Sequence, residues 1–461
     1  MRSFVLRLTR PPIPPLTCIA LRAPALWCVN CTILLAVQVY GKLPLSHLIP
    51  MLAPLDGWKG AARCVGGMCL CSRLHPAPFP PSDRLHTPLR WDTSYNMMML
   101  RLLSYGLDLH WCRRAATAAS TPGGATPGDK ATPLPRDEQR QLASSVLLES
   151  HYSGSPFLAY ILFPPLQIAG PIIPFNAFAA QQLRRRGLGA ASTSPPMPAK
   201  VVAESSLAGV ARYGLRFAVV WACLEWQTHA IHANAMATSS AAWRSSGLLA
   251  PAQAACVSFW ALMFTWLKFT CMWRFFRLWS LAWGCVPPEN MLRCVCNNYD
   301  AEGFWRGWHA SFNRWLVRYL YIPLGGSSAR KPLNLWLVFT FVALWHDLVE
   351  PRLLGWAWLT CLFLLPELGV KLAARLPWMS SRAHTAAYRH ACAALASLNI
   401  TCLMAANLVG FVIGLSGARL WLSSMLTRDG IRVLASSLLT FFSAAHIMFE
   451  VRAKESRRVL T

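Results

Sequence analysis

The residues best placed to do chemistry in this sequence are two histidines set among apolar and aromatic neighbours. His346 lies in "FVALWHDLVE" (Phe341 to Glu350), where an apolar run that begins at Leu333 meets a histidine and an aspartate. Ionisable groups at the edge of lipid cost free energy, so their presence asks for a reason. Either the helix ends at the headgroup layer and His346 marks its exit, or His346 sits in a cavity and accepts a proton. An imidazole with an ordinary pKa of about 6.5 is suited to deprotonating a hydroxyl near neutral pH. Asp347 could orient His346, but adjacent helical residues point about 100° apart, which favours an exit into the headgroup layer. The second histidine, His309, lies in "FWRGWHASFNRWLVRYLYIPLGG" (Phe304 to Gly326), with Asn313 one turn on. Arg306, Arg314 and Arg318 in that stretch, and Lys331 after it, could hold a pyrophosphate or a lipid phosphate. Taken singly, each arginine is equally well explained by headgroup contact.

These residues need elements to position them. Laid on one helix at about 100° per residue, Trp305, Trp308, Phe312, Trp315, Leu316 and Tyr319 share a face. Arg314 and Arg318 share a second, and Arg306, His309 and Asn313 a third. That pattern predicts an interfacial helix with its aromatic side in lipid, stopped by Pro323 and the Gly325-Gly326 pair. Apolar stretches near 24–41, 214–234, 248–270, 333–345, 353–370, 388–416 and 430–449 predict spans. Each is long enough, or nearly so, for a hydrocarbon core of about 30 Å. Residues 92–111 read as interfacial. In "FLAYILFPPLQIAGPIIPFNAF", Pro164, Pro165, Pro171 and Pro174 forbid one continuous helix, and a re-entrant hairpin between two basic loops fits better. About ten membrane-embedded segments result, without internal repeats.

Composition agrees. Of 461 residues, 54% are hydrophobic and 14% charged, against about a quarter charged in soluble domains. The mean hydropathy is +0.35. The 21 tryptophans fit residues that favour the membrane interface. A net charge of +25 could point to nucleic acid, but the basic residues lie scattered between apolar runs, so nucleic-acid binding is set aside. The fold class expected is all-α, a multi-pass transmembrane bundle with re-entrant and interfacial helices. Residues 1–90 form a poorly defined N-terminal membrane region, 91–454 the main domain with flexible loops near 113–142 and 184–210, and 455–461 a basic tail. The 16 cysteines mostly lie in apolar segments. Cys28 and Cys31 lack a second CxxC pair, and the loose groups Cys64, Cys69, Cys71 and Cys294, Cys296 read as free thiols, so no metal site is expected. S-acylation or metal binding at Cys294 and Cys296 is a lesser alternative. The sequons at Asn30 and Asn399 sit in apolar runs and read as unused, and "MRSFVLRLTRPPIPP" is too short in its apolar part for a cleavable signal peptide. Glu225 and His229 in "LEWQTHAIH", with His232 beyond, read as a structural i,i+4 pair inside the bundle.

The stretch from Phe304 to Gly326 followed by "FTFVALWHDL" resembles the signature of the membrane-bound O-acyltransferases. "MMLRLLSYGLDLHW", "LAYILFPPLQIAGPIIPFNAF", the run "WLKFTCMWRFFRLWSLAWGCVPPENMLRCVCNNYDAEGFWRGWHASFNRWLVRYLYIPLGG" and the terminal "AAHIMFEVR" are similar, in order, to one branch of that family. That branch is named for glycerol uptake and linked to remodelling of glycosylphosphatidylinositol (GPI) lipids. The resemblance runs from about residue 91 to near the C-terminus. It places His346 at the family's essential histidine and His309 at its second polar catalytic position. Some members of the branch lack the first histidine, whereas this chain keeps both positions.

What the resemblance implies is a multi-pass enzyme of the endoplasmic reticulum membrane. It would move a long-chain acyl group from acyl-CoA, as co-substrate and with no other cofactor, to a lipid hydroxyl, the acceptor being a lyso-GPI anchor. His346 would act as general base, His309 would polarise the thioester carbonyl or orient the acceptor, and Asn313 would help more weakly. Arg306, Arg314 and Arg318 would contact substrate, and the broken segment at 164–174 would line an acyl tunnel or lipid entrance. Protein acylation is a less favoured variant. Two other classes stay open: a membrane transporter for glycerol, which should show paired broken helices in two related halves, and a catalytically inactive membrane scaffold.

Overall fold

A computed structural model describes residues 23–40, 91–119, 138–145, 147–185, 197–238, 250–326, 331–346 and 351–460. Asp347, Cys64, Cys69, Cys71, most of the N-terminal region and the middles of both expected loops lie outside these residues. All regular structure among the described residues is helical. The chain divides into two compact units, one of residues 1–210 with 279–288, the other of residues 211–278 with 289–461.

The first unit holds α1 (Ala23–Tyr40), α2 (Trp91–Ala119), α3 (Glu138–Ala143), α4 (Gly154–Ile161), α5 (Pro164–Gln167), α6 (Phe175–Arg185) and α7 (Ala199–Ser205). The prolines break the chain between α4 and α6 as the sequence predicts. Each break leaves carbonyls and N–H groups with no partner inside the helix, and α2 supplies the partners. Arg101 donates from Nη1 to the carbonyls of Tyr160 (2.7 Å) and Ile161 (3.0 Å) at the end of α4. At the start of α6, Phe175 N–H donates to Ser104 Oγ (3.0 Å) and Asn176 N–H to Asp108 Oδ2 (3.2 Å). Tyr160 Oη closes the segment by donating to the Ile173 carbonyl at 2.7 Å. Irregular backbone in apolar surroundings persists only when protein covers and satisfies it.

The same contacts show what the polar residues of 92–111 do; among the described residues this helix is not one of those long and apolar enough to cross a membrane. Met99, Leu100, Leu103 and Leu107 of α2 are buried, and so are Arg101, Ser104 and Asp108. These polar residues serve the broken backbone beside the helix. The expected loops are also shorter, because α2 continues to Ala119, α3 fills 138–143, and α7 and the start of α8 occupy the end of the second loop.

The second unit holds most of α8 (Leu207–Ala230), then α9 (Ala233–Thr238) and most of α10 (Pro251–Ala282). After these come α11 (Ala301–Gly307) and α12 (Ala310–Leu316), which continues into a π turn over Val317–Tyr321. There follow α13 (Lys331–His346), α14 (Pro351–Ala373), α15 (Pro377–Ser380), α16 (Ala386–Leu408), α17 (Gly414–Met425) and α18 (Arg428–Leu460). Among the described residues five helices are long and apolar enough to cross a membrane: Leu207–Ala230, Pro251–Ala282, Leu353–Ala373, Ala386–Ile413 and Arg428–Arg457. Shorter apolar helices cover Pro24–Leu34 and Pro332–His346. In this unit α13 packs on α14, α14 on α16, and α16 on α18. At Gly410 a β-carbon would lie 2.6 Å from the Trp356 ring, so glycine there allows the indole to nest against the chain. The Glu225–His229 pair exists, with His229 Nε2 3.4 Å from Glu225 Oε2, but both side chains are exposed on α8 rather than set inside the bundle.

Arg101→Leu is expected to keep the apolar volume yet strand the Tyr160 and Ile161 carbonyls. Loss of these charge-assisted bonds should destabilise by about 3 kcal/mol, read as a lower melting temperature in detergent. Arg101→Lys should recover part of the difference.

Candidate functional site

The segment from Asp300 to Tyr321 is not the single helix that its periodicity predicts. It is two seven-residue helices with a break at Trp308-His309. So short a helix contains few internal hydrogen bonds, and its position is set by what its ends meet. The first N–H groups of α11 meet Glu367 of α14: Ala301 donates to Oε2 at 2.7 Å and Glu302 to Oε1 at 3.4 Å. Negative charge at a helix N-terminus is favourable. Lys371 holds that carboxylate at 2.6 Å and also bonds Glu302 at 2.6 Å, while Asn399 donates to Glu367 at 3.2 Å.

At the other end of α11, Trp308 is extended and His309 takes φ 45°, ψ 47°, the left-handed conformation. Among the described residues no other non-glycine has positive φ. A β-carbon there costs roughly 1–2 kcal/mol, and such strain persists only where the surroundings over-determine it. Asn290 provides much of that constraint. Its carbonyl accepts Ala310 N–H at 2.9 Å, and its side-chain Oδ1 accepts Ser311 N–H at 3.1 Å and the Ser311 hydroxyl. Leu292 N–H donates to the Gly307 carbonyl at 3.1 Å, so the 290–292 strip braces both sides of the break.

Held this way, the His309 imidazole lies flat on Trp273 of α10, centroids 4.4 Å apart and planes 18° apart. It also meets the Phe312 ring at 5.1 Å. Phe312 meets Trp345 at 4.6 Å, and Trp345 meets His346 at 4.8 Å. The two histidines picked out in the sequence are thus gathered at one place, with two buried aromatic rings between them. Their environments differ. His346 is exposed at the end of α13, whereas His309 is packed among aromatic rings. Burial pushes the His309 pKa down to about 3, and the charge of His346 adds to the effect. His309, outside the five long spans, is therefore a neutral imidazole over the physiological range.

The other expected site residues fare unevenly. Asn313 stays near, but its Nδ2 donates to the Trp305 carbonyl at 2.9 Å and ties α12 back to α11. Arg306 is exposed and paired with Glu302 one turn earlier, so it does not share a face with His309 and Asn313. Arg314 and Arg318 are half-buried, with Arg314 Nη1 and Arg318 Nε shielded from solvent and Arg318 lying 5.4 Å over the Tyr319 ring. The expected lipid face of the aromatic helix is overturned. Phe312, Trp315, Leu316 and Tyr319 are all buried within the protein, because the break at His309 rotates α12 away from the direction a continuous helix would give it. Cys294 and Cys296 are free thiols, the latter with Sγ 3.4 Å from Met263 Sδ. Asn30 is buried with its amide on the Leu26 carbonyl at 2.9 Å.

Sequence reasoning missed Asn290, Trp273, Glu367 and the Phe312–Trp345 bridge. Only the "PPEN" turn carried a local signal, a polar residue after two prolines in an apolar context; the rest are contacts between distant helices.

A pair of short helices braced by buried polar residues thus brings His309 close to the end of the apolar helix that carries His346, in a unit that also holds all or most of each of the five helices long enough to cross a membrane. The chain belongs to the MBOAT, membrane-bound O-acyltransferase family, whose sequence pattern it matches over residues 82–408. It is 35% identical over 396 residues to the membrane-bound O-acyltransferase gup1 of Schizosaccharomyces pombe, covering 84% of this chain and 62% of that protein. It is 34% identical over 434 residues to the membrane-bound O-acyltransferase GUP1 of Saccharomyces cerevisiae, covering 94% and 68% respectively. A more distant relative is the protein-cysteine N-palmitoyltransferase HHAT of Mus musculus, 28% identical over 229 residues, 48% of this chain and 41% of that one. The chain spans about two thirds of the length of the two yeast relatives.

The lowered pKa of His309 has a consequence for stability. Between pH about 3 and about 6.5 the unfolded chain protonates this imidazole while the folded chain does not. Stability should therefore fall as pH drops through about 6.5. His309→Asn, whose side chain tolerates the left-handed conformation, should fold and show a shallower loss of melting temperature between pH 7 and pH 4.

Proposed function

We propose that this protein transfers a long-chain acyl group from acyl-CoA to a lipid hydroxyl, with a lyso-GPI anchor as acceptor, in the endoplasmic reticulum membrane. The observation that carries the reading is the juxtaposition of His309 and His346 in unequal environments. A histidine held neutral with a very low pKa is a weak base but a sound N–H donor, and a neutral imidazole can polarise a carbonyl without the cost of burying a charge. The base role then falls to His346, the open member of the pair.

The step balances as follows. His346 takes the proton of the acceptor hydroxyl as its oxygen attacks the thioester carbonyl carbon. The oxyanion that forms accepts a hydrogen bond from the His309 N–H, in surroundings where the aromatic lining keeps water away and makes that bond stronger. Collapse breaks the carbon–sulfur bond, and the coenzyme A thiolate takes the proton from the His346 imidazolium. The products are an ester and coenzyme A. Arg314 and Arg318, half-buried on the helical segment that follows His309, are the candidates to meet a phosphate; Arg306 is exposed and paired with Glu302. The relatives named as membrane-bound O-acyltransferases support the reaction class, and those names leave the acceptor to experiment.

The test uses membranes carrying equal amounts of wild type, His346→Ala or His309→Asn, supplied with long-chain acyl-CoA and lyso-GPI. Acylated lipid and released coenzyme A are both measured. His346→Ala should lower transfer by 10²-fold or more, in line with loss of a general base, and His309→Asn by a similar factor, as expected for loss of one oxyanion donor. Wild-type activity in both variants would make His346 a helix exit and remove the assignment. Wild type that acylates a peptide N-terminus instead of lyso-GPI would move the acceptor to the class named for the mouse relative.

A further inference from the structure

We infer that Asn290 is a positioning residue of this site: it holds His309 in its left-handed conformation and so aims the imidazole. The inference rests on the proposed acyl transfer and deepens it. Asn290 lies between the two units of secondary structure that flank the site, after α10 and before α11, and contributes no ring or charge of its own. It is fully buried, and its two acceptors take the N–H groups of the two residues that follow His309. Those are the first orphan donors of α12. A left-handed residue reverses the chain locally, and the groups just beyond it would have no partner if Asn290 were absent.

Asn290 is itself anchored. Its N–H donates to Glu289 Oε1 at 3.2 Å, and the other oxygen of Glu289 accepts the Tyr213 hydroxyl at 2.8 Å. Arg277 lies 3.9 Å from that carboxylate and 4.6 Å over the Tyr213 ring. Tyr213 and Arg277 are buried on α8 and α10. The contacts therefore run from two long helices through Glu289 to Asn290, and from Asn290 to the residues next to His309. Trp273, on which the imidazole stacks, is on the same α10 one turn before Arg277. One helix thus supplies both the surface under His309 and the far end of the chain of contacts that sets its backbone.

The side chain has to be an acceptor, and a neutral one suits the place. Its Nδ2 meets no acceptor among the described residues, a cost that an aspartate would avoid. An aspartate would instead bring a buried negative charge beside an imidazole that the site keeps neutral, and a nearby opposite charge favours protonation. Asparagine keeps both acceptor contacts without that charge.

The test compares wild type, Asn290→Ala and Asn290→Asp in purified full-length protein. Two readouts are taken: acyl-transfer kinetics with acyl-CoA and lyso-GPI, and the rate at which diethylpyrocarbonate modifies His309, mapped by peptide mass. The second needs no substrate, so it decides the positioning claim even where the proposed reaction fails. Asn290→Ala should lower kcat by 10²-fold or more with KM for acyl-CoA within about threefold, and raise His309 modification at least fivefold. Asn290→Asp, which restores the acceptors, should return modification to the wild-type rate and kcat to within about tenfold. Three results would overturn the inference: wild-type kcat and modification in Asn290→Ala, loss of kcat with His309 modified at the wild-type rate, or a parallel rise at His151 in the other unit, which would mean general loosening. Wild type inactive on lyso-GPI with the modification pattern as expected would sink the proposed reaction and leave the positioning role standing.

Discussion

The first N–H groups of a helix have no partner within it, and the candidate site is built on two short helices on either side of Trp308-His309, the second running on into a π turn. Their positions are consequently decided by outside partners. Glu367 receives the start of α11, Asn290 receives the start of α12, and the Gly307 carbonyl between them goes to Leu292. Each contact is modest singly, about 0.5–1.5 kcal/mol for a neutral bond and more where a carboxylate takes part. Their weight comes from what they prevent. A buried N–H left unsatisfied costs about 1–3 kcal/mol, more than the net gain of a typical bond. The break at His309 is therefore stiff although it is short.

That stiffness explains why a histidine is tolerated where glycine would be the easy choice. Glycine at this position would avoid the left-handed penalty of roughly 1–2 kcal/mol and would bring no imidazole. The strain is retained together with a flat stack on Trp273 and a second ring contact with Phe312. Ring contacts of this kind contribute on the order of 1 kcal/mol each, enough to offset the backbone cost. The same packing strips water from the ring and lowers its proton affinity. Asn290 thus braces the backbone of His309, while the aromatic wall formed by α10 and α12 sets the orientation of its ring and lowers its proton affinity.

The parts of this fold legible in the sequence are those written in local pattern. The apolar runs become helices near their expected positions, and Pro164, Pro165, Pro171 and Pro174 break the chain where they stand. The two histidines could be named because an ionisable side chain in an apolar run is conspicuous. What stayed hidden is tertiary. The 100° periodicity of residues 304–321 is real, but a periodic pattern cannot show that one residue in the middle is left-handed. Every face assigned beyond His309 was rotated accordingly, and residues expected to meet lipid are buried instead. The polar residues of α2 carry no local sign of their role. Arg101, Ser104 and Asp108 serve a backbone more than fifty residues away.

The residues that place the two histidines come from helices scattered through the second unit: Trp273 from α10, Asn290 from the turn after it, Phe312 from α12, Trp345 from α13 and Glu367 from α14. No local segment contains enough of them to form the site. The geometry therefore exists only when the packing of the whole unit is complete, and changes far from either imidazole can disturb it. The two histidines also stand in different surroundings. His309 is half-buried against Trp273 and Phe312 and is held below its ordinary pKa, whereas His346 is exposed at the end of an apolar helix. That difference follows from the break in one helix and the acceptors that hold it.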